Sequence, residues 1–386
     1  MVAVPAAHGG SPGWLLGPLG DSLGLGGRQY FACLSLALIA YVGVARCARA
    51  LGPRIIWGAI VAAVALFALA PPLLSQDAFS YISYARMSEV HGVNPYDVAP
   101  IALPADAAFR YVGWVLAPSA YGPLFSIATR PLGLVGVPAA LWTWKAAVAL
   151  CVLGLALVTS AVARRRGVDP LAAAAFVGLN PVVLVDVVGG AHNDAPAMLL
   201  AMAGVLAALA GRELAAGAGL ALAATVKISG GLAAPFALIA SRRRVTFLAG
   251  AALALAVVVA ATIPLYGHAA LDSFGLVSDN QALTTRLSLP RLVAKLPLIS
   301  IDVARAGAVA AYGVALAWLL AWTWRGGDWI RAAGWATFGL LLATSWIFPW
   351  YLLWVLPLAA VARDRVLVAA TIALTALQLA YGVPWS

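Results

Sequence analysis

The densest group of polar side chains in the chain follows an apolar run. It contains one carboxylate, Asp77, followed by the hydroxyls of Tyr81 and Tyr84 and the guanidinium of Arg86. If a helix begins here, Asp77, Tyr81, Tyr84 and Ser88 share one of its faces, because their spacing follows the helical repeat. A partly desolvated carboxylate beside hydroxyls is what a general base for an alcohol requires. Asp77 also fits a simpler role as a cap for the first amides of that helix, and the two roles are compatible.

A second polar cluster, His192-Asn193-Asp194, follows two glycines and an alanine between two apolar runs. Asn193 or Asp194 can cap the helix that follows, which would be a purely structural role. A cap does not account for the histidine, one of only four in the chain. An imidazole and the free amides of a helix N-terminus both suit a phosphate. No further ligand stands at metal-like spacing, so the sequence predicts no metal site here.

Lys227 lies between two short apolar runs, 214–225 and 230–240, whose far ends both carry arginines. Each run is too short for a hydrocarbon core of about 30 Å. We therefore predict a hairpin of short helices whose tip, around Lys227, stops inside the membrane or at its outer margin. A lysine at that depth is costly unless it faces a polar cavity or an anion.

Trp350 and Tyr351 belong to a run of aromatic residues that also includes Trp346, Phe348 and Trp354. An interfacial belt is the first interpretation of such a run at the end of an apolar segment. Stacking against a sugar is the alternative.

The composition predicts an all-α polytopic membrane protein. Hydrophobic residues make up 63% of the 386 residues and charged residues 10%, so the bilayer must be the solvent for most of the chain. Residues 1–29 are predicted to be a flexible N-terminal segment, and 30–386 a single integral membrane domain. Apolar runs between charge clusters indicate about twelve transmembrane helices, some of them short and re-entrant because they are too short to cross alone. The predicted spans are 30–45, 55–74, 136–162, 170–188, 195–210, 214–225, 230–240, 245–266, 303–324, 332–348, 351–361 and 366–383.

Basic residues indicate how the chain crosses the membrane. Fourteen of its 24 lysines and arginines fall in short loops that lie on one side if the helices alternate, which makes that side cytoplasmic. Two long loops, about residues 75–135 and 268–302, then lie outside, as does the turn at His192. The net charge of +10 fits basic loops facing anionic lipid and not nucleic acid, because no basic stripe is interleaved with aromatics.

Arg286, Arg291 and Lys295 stand in the second outer loop, against the usual distribution of basic residues. Each therefore needs an anionic partner. Lipid headgroups and a substrate phosphate both meet that need, and spacing does not choose between them.

Taken together, these clusters resemble the GT-C class of polytopic glycosyltransferases. They are most similar to the bacterial polyprenol-phosphomannose-dependent mannosyltransferases of the actinobacterial lipomannan type. The resemblance covers about residues 30–383 and rests on an ordered set of short motifs. These motifs are Gln76-Asp77-Ala78-Phe79-Ser80-Tyr81, Gly92-Val93-Asn94-Pro95-Tyr96, Tyr121-Gly122-Pro123-Leu124, Asn180-Pro181, Gly189-Gly190-Ala191-His192-Asn193-Asp194, Val226-Lys227 and Phe348-Pro349-Trp350-Tyr351.

The resemblance implies an inverting transfer that needs no metal or cofactor. It takes place at the outer face of a bacterial plasma membrane, from a polyprenyl-phosphate sugar to a glycolipid or polysaccharide acceptor. Asp77 matches the expected catalytic base, and His192, Lys227 and Arg286 would hold the donor phosphate. The other side chains expected to bind substrate are Tyr81, Tyr84, Arg86, Asn193, Asp194, Trp350 and Tyr351. Mannose is the expected sugar, although glucose and arabinofuranose carriers offer the same phosphate.

A transporter or lipid flippase is the alternative function for a chain with many spans and buried charges. Such proteins usually carry paired repeats with interrupted helices in corresponding halves. Here no repeat stands out, and the polar residues concentrate in outer loops, which favours the transferase. A purely structural membrane protein would gain nothing from Asp77, His192 and Lys227.

Overall fold

The structure, a computed structural model, describes residues 13–18, 27–271 and 283–381 of the chain. The predicted N-terminal segment and second outer loop therefore lie partly outside the described residues. Within these ranges the chain is helical, with no β-strand. The helices are α1 Gly13–Leu16, α2 Gly27–Leu69, α3 Asp77–Glu89, α4 Pro123–Thr129, α5 Val137–Arg166, α6 Pro170–Gly178, α7 Asp194–Leu209, α8 Glu213–Val226, α9 Ala234–Ala240, α10 Arg244–Tyr266, α11 Leu289–Val293, α12 Ile301–Trp324, α13 Trp329–Ala343, α14 Leu356–Val361 and α15 Arg365–Tyr381. A π-helix, Val183–Gly189, and short 3₁₀ turns connect them.

The chain is a polytopic membrane protein, but the predicted count of twelve spans is not confirmed. By length and composition, four helices of the described ranges are able to cross a bilayer, namely those at Arg28–Leu69, Val137–Arg166, Arg244–Tyr266 and Ile301–Trp324. A fifth is added if α6 and the π-helix, bent by 59°, form one broken span. Most of the other predicted spans correspond to apolar helices of 10–17 residues, which are too short to cross alone.

Helix α2 comprises two helices that meet at a kink, in agreement with the predicted pair, but the predicted basic loop between them is reduced to that kink. The kink lies at Gly52, whose φ of 79° suits a residue without a Cβ. Pro53 follows at the kink, where the missing amide removes one helical hydrogen bond. The arginines of the predicted loop therefore project from a bent helix.

Close contacts between helix backbones build the interior around α5, which packs against α2, α6 and α7. Helix α8 packs against α7 and α10. Gly217 of α8 lies against the Phe247 carbonyl, and Gly250 of α10 lies against the Leu214 carbonyl. A methyl group at either glycine would collide with the facing backbone, so small residues set the spacing here, as is common between membrane helices.

Ion pairs connect several of the predicted basic loops. Arg49 pairs with Asp169 at 3.7 Å, Arg166 pairs with Asp328, and Arg331 pairs with Asp364 at 2.6 Å. These contacts join four of the basic stretches that the sequence places on one side. Most of the side chains singled out for chemistry come together in a separate cluster.

Candidate active site

Asp77 is the first residue of α3 and follows a turn in which Leu74 has a φ of 57°. A non-glycine residue in this left-handed region is strained, and such strain often accompanies functional sites. The side chain of Asp77 is 15% exposed, and its Oδ1 accepts a hydrogen bond of 2.9 Å from the Trp114 indole. No side chain caps α3, and the Asp77 amide itself is bound by the Ser75 hydroxyl. The carboxylate is therefore not a helix cap.

Burial is the main influence on the pKa of Asp77 and raises it above the ordinary value of an aspartate. The Trp114 hydrogen bond and the charge of Lys227 oppose this rise, and Asp194 adds to it. No cation binds the Asp77 carboxylate directly among the described residues. A carboxylate with a raised pKa holds a proton more readily, which suits a general base.

His192 lies on the turn between the π-helix and α7, after Ala191 with a φ of 57°. Its ring stacks on Trp350, with centroids 3.7 Å apart and planes 16° apart. Its Nδ1 is 3.5 Å from Asp77 Oδ2, and neither ring nitrogen makes a hydrogen bond within the described residues. The sequence separates Asp77 and His192 by more than a hundred residues, and the fold brings them together.

Burial, aided by the charge of Lys227, holds the pKa of His192 well below its usual range. This low pKa favours the neutral imidazole, which has one N–H to donate. The predicted role of His192 in holding the donor phosphate stays a prediction, and the lowered pKa favours a hydrogen bond from the neutral ring over a charge interaction in that role.

Helix α5 fixes the turn that carries His192. The Trp144 indole donates to the Ala191 carbonyl at 2.8 Å, and the fully buried Lys145 ammonium donates to the Gly189 carbonyl at 2.8 Å. A side chain at Gly190 would meet the His192 ring. Sequence reasoning missed Lys145, although a lysine inside a long apolar helix is a recognisable signal of function or of precise anchoring.

Lys227 forms a buried ion pair with Asp194. Its ammonium lies 2.8 Å and 2.9 Å from the two carboxylate oxygens, and the Asp194 side chain is fully buried. Trp354 donates its indole N–H to the same carboxylate. The predicted hairpin is present in outline: α8 ends at Val226, Lys227 is extended, and a 3₁₀ turn follows. The anion that Lys227 was expected to face is Asp194, which therefore does not cap α7 with its side chain.

The aromatic run forms an inner wall of the site. Trp350 is 9% exposed and Trp354 is 8% exposed. Phe348 stacks on Trp350 at 4.6 Å, on the ring that also carries His192. Tyr351 lies beneath the Lys227 ammonium, 4.8 Å from it. The interfacial-belt interpretation is therefore wrong for Trp350 and Trp354, because both point into the protein.

Two further predicted residues belong to the cluster. Tyr81 is 1% exposed, lies near the charges of Asp77 and Asp194, and packs edge-on against Tyr121 at 4.9 Å. Asn193 is 1% exposed, and neither polar atom of its amide has a hydrogen-bond partner within the described residues. Buried amides are almost always paired, so this one marks a place where a ligand or water can bind.

Three other predicted residues lie outside the cluster or at its edge. The Tyr84 hydroxyl donates to the Ala117 carbonyl at 2.8 Å, and Arg86 binds Asp106 at 3.0 Å, so both hold together the first of the two long loops. Arg286 is exposed, beside Thr285, whose amide donates to the Ser345 carbonyl at 2.9 Å. This bond ties the second outer loop to the residues that precede the aromatic wall.

Trp114 was not foreseen, because nothing in the sequence marks one tryptophan of the outer loop as the partner of Asp77. It also packs against Trp346 at 6.2 Å, which links it to the aromatic wall. Among the described residues, no three His, Cys, Asp or Glu side chains come together as a metal site.

Two family models match the chain. The one described as "Alpha-(1->6)-mannopyranosyltransferase, N-terminal domain" matches residues 24–243, and "MptB C-terminal domain" matches residues 291–384. Among curated relatives, alpha-(1->6)-mannopyranosyltransferase A of Mycobacterium tuberculosis is 28% identical over 336 residues, which cover 78% of this chain and 64% of the relative.

Two Corynebacterium glutamicum proteins are also similar. Alpha-(1->6)-mannopyranosyltransferase B is 24% identical over 350 residues (78% of this chain, 58% of the relative), and alpha-(1->6)-mannopyranosyltransferase A is 30% identical over 176 residues (43% and 35%). The chain thus spans less than two thirds of the length of each of these relatives. No solved structure matches it. Because the first family model covers more than half of the sequence, the chain belongs to the alpha-(1->6)-mannopyranosyltransferase family of GT-C-type membrane proteins.

Proposed function

We propose that the protein transfers mannose from a polyprenyl-phosphate donor to a hydroxyl of a glycolipid or glycan acceptor. The reaction takes place at the outer face of the bacterial plasma membrane, with inversion at the sugar carbon. One observation carries this proposal: the Asp77 carboxylate, free of any direct cation among the described residues, lies 3.5 Å from His192 and near the partly buried Lys227. A base next to hydrogen-bond donors is what transfer from a phosphate to an alcohol requires.

Asp77 acts as the general base. As the acceptor oxygen attacks the anomeric carbon, Asp77 takes the hydroxyl proton, the new carbon–oxygen bond forms, and the bond to the phosphate oxygen breaks. A single displacement inverts the configuration of that carbon. The raised pKa of Asp77 suits the role because the carboxylate must accept the proton during the step.

Lys227 and His192 receive the phosphate as it leaves. An ammonium has three donors, and two of those of Lys227 point to Asp194, so one remains for a phosphate oxygen. The neutral His192 ring contributes one N–H. The charge of Lys227 is largely balanced by Asp194, so further positive charge must come from elsewhere. Arg286 is suited to supply it, because it is exposed on a loop that is tied to the edge of the site.

The wall of Phe348, Trp350 and Tyr351 provides flat apolar surface beside these polar groups. Such surface suits the faces of a sugar ring and the first isoprene units of the donor. Asn193, whose buried amide is unpaired within the described residues, is placed to bind a sugar hydroxyl.

The names of the relatives bear on the linkage. All are called alpha-(1->6)-mannopyranosyltransferases, which supports a mannose donor and the primary 6-hydroxyl of a mannose as the attacking group. No observation on the described residues favours the transport alternative.

A transfer assay tests this function. The protein is reconstituted in lipid nanodiscs with polyprenyl-phosphate mannose and a short α-mannoside acceptor, and the product linkage is determined by NMR. We expect α-(1→6) product with the wild-type protein and with Asp97→Asn, a control carboxylate exposed on the same outer loop. Loss of product only in Asp77→Asn supports the proposal. Equal product from Asp77→Asn, or no turnover of the donor by the wild-type protein, would reject it.

A further inference from the structure

A groove of about 620 Å³ lies at the arginine-rich end of the structure and contains none of the side chains of the candidate site. Its volume is within the range of roughly 300–1,000 Å³ that is usual for ligand sites. Three segments line it: the part of α2 before the Gly52 kink, helix α6, and the stretch from the end of α14 into α15.

The walls of this groove are apolar. Val42, Phe176 and Ile372 are among the lining residues, and the charged side chains that line it come from Arg46 and from the segment 363–365. On α15 the lining extends from Arg365 to Ile372, which is about 10 Å along a helix axis. The groove therefore has a charged mouth and an apolar interior that follows the helices away from the basic loops.

Three cations stand at the mouth without a carboxylate partner. Arg46, Arg363 and Arg365 are exposed, and within the described residues none of them forms an ion pair. The one acid at the mouth, Asp364, is already occupied. It binds Arg331 at 2.6 Å and the Trp335 indole at 2.9 Å, and it accepts the first amides of α15.

The backbone at the mouth is held in an unusual conformation. Arg363 has a φ of 58°, a strained value for a residue with a side chain. The neighbouring Asp364 is fixed by four hydrogen bonds, which keep the loop in this shape. Strain of this kind persists only where the surroundings over-determine it.

We propose that this groove binds an anionic glycerophospholipid, with its phosphate between Arg46, Arg363 and Arg365 and an acyl chain along the apolar walls. Charge complementarity decides the occupant. A neutral lipid would leave three arginines without a counterion, and a peptide would bring backbone amides into an apolar groove that offers them few partners. An anionic lipid satisfies both parts of the groove. The proposal is independent of the proposed transferase activity, because the two sites share no residue.

Native mass spectrometry of the detergent-purified protein tests it. Phosphatidylglycerol and phosphatidylcholine with identical acyl chains are added at equal concentrations, and bound lipid is counted. We compare a triple variant, R46A/R363A/R365A, with a control, R212A/R242A/R243A, which removes the same charge from exposed arginines outside the groove. We expect the wild-type protein and the control to prefer phosphatidylglycerol. In the groove variant, the amount of bound phosphatidylglycerol should fall roughly tenfold.

A second variant tests the apolar part. Ala369 is exposed and lines the groove, so Ala369→Trp should fill it without changing charge or disturbing the interior. We expect this variant to lose phosphatidylglycerol while keeping its helical circular dichroism. The proposal is overturned if both triple variants lose the lipid equally, if the wild-type protein binds both lipids equally, or if Ala369→Trp still binds phosphatidylglycerol like the wild type.

Discussion

Two carboxylates near the two ends of helix α3 have pKa values shifted in opposite directions. At its C-terminal end, Asp106 of the following loop binds Arg86 at 3.0 Å and His91 at 2.8 Å, and it accepts the Ala108 amide at 2.8 Å. At its N-terminal end, Asp77 accepts one hydrogen bond from the neutral Trp114 indole, and the His192 Nδ1 lies 3.5 Å from its other carboxylate oxygen.

Exposure does not explain this difference. The side chain of Asp106 is 5% exposed and that of Asp77 is 15% exposed. Burial opposes ionisation of Asp106, yet hydrogen bonds from Arg86 and His91 hold its pKa below the usual value. For Asp77, burial prevails and the pKa is raised. Asp106, which Arg86 and His91 bind, holds a loop in place. Asp77, which no cation binds directly among the described residues, is available to take a proton.

The sharpest way to break this contrast is Asp77→Asn. The amide keeps the shape of the side chain but cannot accept a proton from an acceptor hydroxyl. We expect mannosyl transfer to fall by about 10²–10⁴-fold, the usual contribution of a general base, with an unchanged unfolding temperature in detergent. If Asp77→Asn transfers mannose at a rate within threefold of the wild-type rate, another residue must be the general base.

Variants of Lys227 and Asp194 test whether Asp194 stabilises the fold by pairing with Lys227. Lys227→Met and Asp194→Asn each leave one member of a buried pair, which should destabilise the protein by about 3–5 kcal/mol. The double variant should lose less than the sum of the two. Unfolding titrations in mixed detergent micelles measure these free energies.

An exposed pair provides the matched control for this prediction. Asp302, 83% exposed, contacts Arg305 within one turn of α12. Asp302→Asn should change stability by less than about 1 kcal/mol. Additive single effects at Lys227 and Asp194 would mean that the two side chains act separately, and the account of their pairing would then fail.

The pH dependence of transfer tests the electrostatic state of Asp77. The rate requires the ionised carboxylate, so it falls as pH drops through the pKa of Asp77. Because burial raises that pKa, the acidic limb should lie above the value of about 4 that is expected of an ordinary aspartate. Trp114→Phe removes the donor that stabilises the carboxylate, so this limb should move to higher pH.

Trp346→Phe is the control, since Trp346 packs against Trp114 without donating to Asp77. Its limb should stay at the wild-type pH. The profile of kcat/KM reports this limb for the free enzyme. A limb unmoved by Trp114→Phe would show that another group controls it.

The sequence predicted the side chains to which the proposed function assigns its central roles. Asp77, His192 and Lys227 stood out because charged or polar groups among apolar runs are costly, and that cost is local information. The helix beginning at Asp77 and the break at Lys227 followed from helix periodicity and from segment length. Each of these inferences needs only the immediate neighbourhood of the residue.

Contacts between residues far apart in the chain could not be predicted from such local information. The partner of Asp77 is 37 residues away at Trp114, and the partner of Lys227 is 33 residues away at Asp194. The lowered pKa of His192 follows mainly from its burial, and neither that burial nor the stacking of its ring on Trp350 is revealed by any spacing. The direct join between the two predicted helices of α2 depends on a single non-helical glycine conformation at Gly52.

Arg86→Met tests the other carboxylate of the comparison, Asp106, by removing its arginine partner. Arg86 was expected to bind substrate, but its guanidinium is engaged by Asp106, with 15% of the Arg86 side chain exposed. Because a hydrogen-bonded charge would be lost from a partly buried pair, we expect a loss of about 1–3 kcal/mol in stability. The transfer rate per folded molecule should stay within about twofold of the wild-type rate, since the pair lies outside the site cluster.

Thermal unfolding and transfer by the same preparation separate the two effects. Asp106→Asn should reproduce the stability loss, because it removes the other half of the pair. If Arg86→Met instead abolished transfer with stability intact, Arg86 would have to leave Asp106 and reach the donor during turnover. Residues at both ends of α3 would then take part in the transfer. An ion pair such as that of Arg86 with Asp106 would in that case not be evidence that a side chain has only a structural role.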